Sequence, residues 1–469
     1  MDYKKTIGIE VHCELKTKEK IFSPSLSNYG NMANTNVNVI DFGYPGTLPL
    51  LNREVLKLAI RACHVLNLSI TRDMHFDRKN YFYPDNPKNF QITQSRTPIG
   101  RNGYVEIDIN GIKKKIEIEE MHIEEDTCKS VHSDTTSLLD FNRAGVPLIE
   151  IVTKPCINSP EEATLYLEKL RELLLYAEVS DCKIEEGSMR CDTNVSISKT
   201  DKLGTKIEVK NIGSISNVGE AIKYEAKRQE EILEKGDTLR EETRRYDDKK
   251  NETVLLRVKE TGNDYRYFPE PDIPFVHLTD EFISESLDGL MRMPDKRRDS
   301  YTQAGIIPIN IEKIIANKNI SDYLENFQDC NLVIASNLLL GDIASYLNKN
   351  NLNIQDTKLT IDKFKDLINK LDKKEISNKI FKDILNDILE KNDTIDQIIN
   401  SRGLNLVSDN NAIKDIIRNV LDHNVDLVNQ YKNGNLKASK ALMGQVMKES
   451  HGSINPSMAN QILMELLDE

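Results

Sequence analysis

From Thr6 to Leu15 the chain alternates apolar and polar positions with period two. Ile7, Ile9, Val11, Cys13 and Leu15 share one face, and Gly8, Glu10, His12 and Glu14 share the other, which predicts a strand buried on one side. The alternation returns from Arg190 to Ser198, where Arg190, Asp192, Asn194, Ser196 and Ser198 oppose Cys191, Thr193, Val195 and Ile197. It returns again in Lys206–Lys210, with Lys206, Glu208 and Lys210 outward. Helical spacing predicts a helix over Arg53–Leu66 and another from Val218 to about Lys235. Residues 104–123 predict a hairpin turning at Asn110-Gly111. The run VPLIEIV, inside Leu138–Val152, predicts a buried strand. Ser159-Pro160-Glu161-Glu162 opens a helix, with Ser159 as cap, Pro160 at the first position and Glu162 completing a capping box. A hairpin follows Thr243, and at about Pro294 the pattern becomes helical. A polar break at 392–409 sets off a last unit whose final helix opens at Asn455-Pro456. The expectation is an α+β part over 1–293, helices over 294–400 and a helical tail over 401–469.

The 469 residues suffice for two to four domains. A net charge of −12 means that nucleic acid must be met by a local basic patch. Seven scattered cysteines without a C-x-x-C argue against a zinc ribbon or disulfide framework and for a reducing compartment such as the cytoplasm. No run of 18 apolar residues is present, so no membrane span is expected. A strand beginning at Thr6 leaves no room for a targeting peptide.

The polar faces carry the candidate chemistry. On the first strand Glu10, His12 and Glu14 stand about 6–7 Å apart along one face, with oxygen and nitrogen donors suited to a hard or borderline cation. A solvated strand face is the plain alternative. The segment HIEED puts His122, Glu124, Glu125 and Asp126 at a strand end. Glu150 sits inside the apolar VPLIEIV run, where a carboxylate is costly unless paired or metal-bound; a salt bridge to Arg143 or a lysine is its structural alternative. Together the strands give one mixed-sign face, with acids for Mg²⁺ and Arg190 and Lys210 for phosphate, the ingredients of a metal–triphosphate site. No P-loop or Rossmann fingerprint competes for that role. Two segments rich in aromatics and prolines, Asp77–Gln94 and Asp264–Asp272, suit either stiff surface loops or walls around a pocket. In the helix Leu436–Met447, Lys437, Lys440, Gly444 and Lys448 share a face on which a small residue between lysines admits a phosphate backbone.

The segments IGIEVHCEL, YPGTLPLLN, FDRKNYFYPDNPKNFQITQ, HIEED, FNRAGVPLIEIV, EEGSMRCDTNVS, EVKN, TRRY, DYRYFPEPD and GQVMK followed by INPSMANQIL run in order along the chain. In these the chain resembles the GatB/GatE family, the B subunits of aspartyl/glutamyl-tRNA(Asn/Gln) amidotransferases. The resemblance implies a cradle domain of glutamine-synthetase-like α+β fold with a mixed or antiparallel sheet over 1–293, an all-α domain over 294–400, and a YqeY-like tail over 401–469. It implies ATP-dependent phosphorylation of the side-chain carboxylate of Glu on tRNA(Gln) or Asp on tRNA(Asn), then displacement of phosphate by ammonia. The ammonia would come from a GatA-like amidase, tied in by a small GatC-like subunit. Carried onto this chain, the resemblance gives Mg²⁺ to His12, Glu125 and Glu150, with Glu10 and Asp192 completing the site. It gives the ATP phosphates to Ser188, Arg190 and Lys210, with Asp192 and Arg266 in the nucleotide pocket, and catalysis to Glu10, Glu125, Arg190 and Lys210. tRNA contact falls to Lys437, Lys440, Gly444 and Lys448. A metal-bound His12 must be neutral, so activity is expected to fall as the imidazole protonates. The chain departs from the family pattern at Thr127-Cys128, where Ala-Gly is usual, and at Gly213 and Ile215. It also lacks the family's tryptophan near Asn337. A divergent copy with changed substrate preference is one reading of those departures.

Two other classes fit parts of the pattern. Clustered carboxylates also serve metal-dependent nucleases and phosphatases. A non-catalytic tRNA-binding adaptor would leave the charged face merely solvated, against which Glu150 in an apolar strand speaks.

Overall fold

The computed structural model describes residues 3–468 apart from 133–134, 259–264, 405–409, 451–453 and 455. The chain divides into two compact units, Met1–Met293 and Pro294–Glu469.

The first unit is built on a nine-stranded sheet. From edge to edge its strands are Glu252–Val258, Glu242–Asp247, Ile207–Lys210, Met189–Ser198, Lys4–Glu14, Pro147–Thr153, Ile112–Glu125, Gly100–Ile109 and Ser69–Ile70. The strand with which the alternation begins is therefore the middle one. Ile207–Lys210 pairs with Glu242–Asp247 in parallel, and the other pairings are antiparallel. The Asn110-Gly111 turn has both residues at positive φ, 53° and 85°, as a tight two-residue hairpin requires.

Alternation sorts the two faces of the sheet as expected. Ile7, Ile9, Val11 and Cys13 are fully buried in one core with Tyr166, Leu170, Ala221 and Ile222 of the helices Pro160–Tyr176 and Ile215–Glu234. The helix Arg53–Val65 joins the same core through Val55, Ala59 and Ile60. Covering one face with helices leaves Glu10, His12 and Glu14 half-buried on the other. The Ser159 cap forms, accepting from the Glu162 N–H at 3.1 Å. The reciprocal half of the capping box does not: Glu162 Oε2 accepts from the Asn158 N–H at 2.8 Å and from Lys114 at 2.6 Å.

A small three-stranded sheet joins Phe268–Pro269, Asp77–Asn80 and Phe90–Thr93. Arg78 locks it, donating to both Glu270 oxygens at 2.6 and 2.8 Å while its guanidinium lies 4.1 Å from the Phe90 ring centroid. Of the second aromatic segment, Asp264 lies outside the described residues.

The second unit is helical from Pro294–Gln303 to Pro456–Asp468. The helix Leu332–Leu338 passes into a wide turn at Leu339–Ile343, where Gly341 leaves helical geometry. The last four helices, Asn410–His423, Val425–Lys432, Lys437–Glu449 and Pro456–Asp468, hold a core of Ile413, Ile417, Leu442, Val446 and Leu463. Asn455 and the end of the polar break, 405–409, lie outside the described residues. Among the described residues no helix is long and apolar enough to cross a membrane.

Candidate active site

Strand register assembles the site. His12 stands opposite Glu150 on one neighbour and opposite Arg190 on the other. Glu150 in turn stands opposite His122. One row across four strands thus reads His122, Glu150, His12, Arg190. One residue pair further along the central strand, Glu10 faces Asp192.

Side chains close the rows into clusters. His12 Nε2 lies 3.4 Å from Glu124 Oε1 and 3.6 Å from Glu150 Oε2. His122 Nε2 lies 2.8 Å from Glu150 Oε2 and 3.7 Å from Glu124 Oε2. Donor atoms of His12, Glu124 and Glu150 all fall within 4.8 Å of one another, and so do those of Glu10, Asp192 and Glu208. Burial opposes a charge on His122, yet Glu150 and Glu124 overcome it and push its pKa up to about 10. Burial likewise works against the Glu150 carboxylate, but His122 and His12 hold its pKa well below the usual range. Burial and the charge of Glu150 raise the pKa of Glu10. His122 Nδ1 is buried without a hydrogen-bond partner. Two carboxylates and an imidazole converging at this separation, with histidine as their nearest counter-charge, fit a divalent cation.

Cations stand among the acids in a cleft of about 460 Å³, whose lining includes His12, Lys79, Glu124, Arg190, Asp192 and Lys210. Lys210 Nζ is held by Asp192 at 2.6 Å and Glu208 at 3.0 Å. Burial opposes its charge, and these two carboxylates more than restore it. Arg190 donates to Asp126 at 2.8 Å. Lys79 projects from the small sheet with its ammonium 5.0 Å from the Tyr265 ring centroid, and Glu124 raises its pKa against the effect of burial. Such a surface can hold a metal-bound polyphosphate and neutralise charge that develops on a transferred phosphoryl group.

The sequence-based candidates divide on this geometry. Glu10, His12, Glu150, Arg190, Asp192 and Lys210 come together. Glu125 does not join the cluster. It follows Glu124 on the strand and turns to the opposite side, where it accepts from the Ile92 N–H at 2.8 Å and pairs with Lys88. Glu124 takes the place expected of it. Alternation from His122 carried that signal, because residues 122 and 124 share a face and 125 does not. Ser188 closes its own loop, accepting from the Lys183 N–H at 2.8 Å and donating to the Lys183 carbonyl at 3.1 Å. It is absent from the cleft lining. Arg266 is exposed on the 265–272 segment and is likewise not part of that lining. Glu150 pairs with histidines, not with Arg143, which donates to the carbonyls of Thr127 and Cys128 at 3.0 and 2.9 Å. Lys437, Lys440, Gly444 and Lys448 form one exposed face, opposite the buried Ala438, Leu442 and Val446. The unusual Thr127 and Gly213 both line the cleft. Cys128 is buried and has no positive φ, so that position does not demand glycine.

A sheet face carrying a cluster of carboxylates and imidazole beside Arg190, Lys79 and Lys210 in one cleft is the class of site expected of an enzyme that handles charged, metal-bound substrates. Comparison with known proteins specifies it. The GatB/GatE catalytic domain model matches residues 5–284, and a GatB domain model matches residues 320–467. The B subunit of the aspartyl/glutamyl-tRNA(Asn/Gln) amidotransferase from Ligilactobacillus salivarius is 45% identical over 480 residues, covering 100% of both chains. Proteins of the same name from Geobacillus kaustophilus and Staphylococcus saprophyticus are 46% and 44% identical, over 99% and 100% of both chains. This chain belongs to the GatB/GatE family.

Proposed function

We propose that this chain is the B subunit of a tRNA-dependent amidotransferase, a ligase that converts Glu on tRNA(Gln), Asp on tRNA(Asn), or both, into the amide. The γ-phosphoryl group of ATP passes to the side-chain carboxylate, forming an acyl phosphate and ADP. Ammonia then adds at the acyl carbon and phosphate leaves. The observation that carries this reading is the His12–Glu124–Glu150 cluster, whose His12 and Glu124 line one cleft with Arg190 and Lys210. His12, Glu124 and Glu150 would hold Mg²⁺, with Glu10 and Asp192 beside it; the ion supplies positive charge for the phosphate oxygens. Arg190 and Lys210 bind phosphate and stabilise the charge that the transferred group gathers in the transition state. Asp126, and Asp192 with Glu208, keep the two cations aimed into the cleft. The second carboxylate group, around Glu10, orients the acceptor carboxylate only if a cation screens it, which ties carboxylate binding to the loaded site.

The chain fits a heterotrimer with a GatA-like amidase as ammonia source and a GatC-like small subunit, in the cytoplasm. The exposed face of Lys437, Lys440, Gly444 and Lys448 touches the tRNA backbone, with a cradle domain at 1–293, a helical domain at 294–400 and a tail at 401–469.

The test uses the assembled subunits with Glu-tRNA(Gln), Asp-tRNA(Asn), γ-labelled ATP, Mg²⁺, and ammonia or glutamine. Amide product with the wild type, lost in His12→Ala and Glu124→Ala, is the expected result. ATP left intact with both charged tRNAs overturns the reading, and hydrolysis of the RNA itself points to a metal-dependent nuclease.

A further inference from the structure

The central strand, Lys4–Glu14, carries a thiol directly beside His12. Cys13 follows His12 in sequence, so its side chain points to the opposite, helix-covered face, where it is fully buried. Its sulfur lies 3.8 Å from that of Cys182, which is also fully buried, and either thiol can donate to the other. No step of the proposed reaction uses either sulfur.

The two meet because the stretch 177–188, which joins the helix Pro160–Tyr176 to the strand Met189–Ser198, is laced to the end of the central strand. The Lys16 N–H donates to the Val179 carbonyl at 2.9 Å, and the Glu14 N–H donates to the Ser188 carbonyl at 2.8 Å. Lys16 also pairs with Asp181 at 2.9 Å. Within this stretch Cys182 has a φ of 47°, in the left-handed region that a residue with a Cβ seldom adopts. Its N–H donates to Ser180 Oγ at 3.1 Å, and its carbonyl accepts from Arg171 Nε at 3.0 Å. Those bonds hold a strained backbone with its sulfur turned onto Cys13. The hydrogen bond from Cys13 and the charge of Arg171 keep the Cys182 thiol below its ordinary pKa against the effect of burial, which favours the nucleophilic thiolate. Asp181 and Lys183 on either side are exposed, so a local opening of one turn brings Cys182 to a small oxidant.

We propose that Cys13 and Cys182 are a redox-sensitive pair: hydrogen peroxide joins them in a reversible disulfide, and that bond disables the His12–Glu124–Glu150 cluster on the other face of the same strand. The Cys182 thiolate attacks one peroxide oxygen, giving a sulfenic acid and hydroxide, and the hydroxide takes up the proton that the thiol released. The Cys13 sulfur then displaces the sulfenic hydroxyl, which leaves with the Cys13 proton as a second water. Two thiols and one peroxide thus become one disulfide and two waters; the sulfurs lose two electrons and the peroxide gains them. Turning a contact into a bond draws the Cys13 backbone and the 177–188 stretch together. His12 is the residue before Cys13, and Arg190 stands at the start of the strand into which the stretch leads, so the pull reaches both sides of the cleft. In a chain whose cysteines are all free, such a bond is a transient sensor and not a structural staple. The switch rests on the reading of the cluster as a metal site.

In the experiment the full chain is treated with hydrogen peroxide, alkylated and digested without reductant, and its cross-linked peptides are mapped. Mn²⁺ affinity is measured before oxidation, after it, and after dithiothreitol. Cys182→Ser and Cys13→Ala receive the same treatment, with melting temperature as the control for folding. Oxidation of the half-buried Cys156 and Cys330 serves as the reference for general damage. The expected result is a Cys13–Cys182 link as the main product in the wild type, with a fall in Mn²⁺ affinity of roughly tenfold that dithiothreitol restores. Neither variant should show that fall. A link that leaves Mn²⁺ affinity unchanged overturns the proposal, as does oxidation of Cys156 and Cys330 without the link, a link that forms only in urea, or a fall that both variants share. A reduced wild type that binds no Mn²⁺ counts against the proposed metal site and takes the switch with it, whereas the other outcomes leave that site standing.

Discussion

Glu124 and Glu125 are chemically identical neighbours, and one peptide step separates a carboxylate that joins the His12 cluster from one that does not. Glu124 meets His12 at 3.4 Å, whereas Glu125 is consumed by the Ile92 N–H and Lys88. Glu124→Ala and Glu150→Ala are therefore expected to weaken Mn²⁺ binding at least tenfold, read by calorimetric titration. Glu125→Gln, which can still accept from Ile92, is expected to leave Mn²⁺ affinity within about twofold. Equal losses at 124 and 125 would show that the cluster extends around the strand end. Chelation of divalent metal should remove ATP turnover and leave the fold standing, because the strand carrying His12 is anchored by the apolar residues between the ligands; a collapse of far-ultraviolet dichroism on chelation would contradict this.

At the scale of elements, most strands and helices were legible because the chain alternates or repeats cleanly where one face is covered. Ile7, Ile9, Val11 and Cys13 announce their burial, and the Asn110-Gly111 turn announces its hairpin. Partner choice was less legible. Glu150 was recognisable as an acid within an apolar strand, but its pairing with two histidines depends on register between strands far apart in sequence. The expectation of Glu125 came from the family resemblance, whereas the structure sets Glu124 beside His12, on the face that alternation from His122 predicts. Glu225 lies within a helix whose spacing points to Arg228 but gives no sign of Thr253 and Arg244. It is fully buried, accepts from Arg228 at 2.9 and 2.8 Å and from Thr253 at 2.8 Å, and lies 3.5 Å from Arg244. It thereby clamps the helix Ile215–Glu234 to the edge strands of the sheet. Glu225→Ala leaves two arginines with a missing buried partner and is expected to cost about 3–5 kcal/mol. Chemical denaturation would report it, and a loss below about 1 kcal/mol would mean that Glu242 takes over both guanidiniums.

At the scale of the whole molecule, a net charge of −12 works against the proposed tRNA contact, which therefore requires a local cationic face. The face of Lys437, Lys440 and Lys448 meets that need because Leu442 and Val446 anchor the other side of its helix in a core. Gly444 sits between the lysines with open space where a Cβ would stand. Lys437→Glu, Lys440→Glu and Lys448→Glu together should weaken tRNA binding uniformly across tRNA sequences, because phosphate contacts carry no base information. Removing each lysine–phosphate pairing should also flatten the slope of log affinity against log salt by roughly 0.7–0.9. ATP turnover at saturating tRNA should persist, since none of the three residues lines the cleft. A Gly444→Leu variant separates the two ways in which the face could act. It adds bulk without changing charge, so if the backbone lies against the helix, affinity falls while the salt slope holds. If instead the lysines act only as a diffuse attracting field, Gly444→Leu leaves affinity untouched and the charge reversals alone are felt.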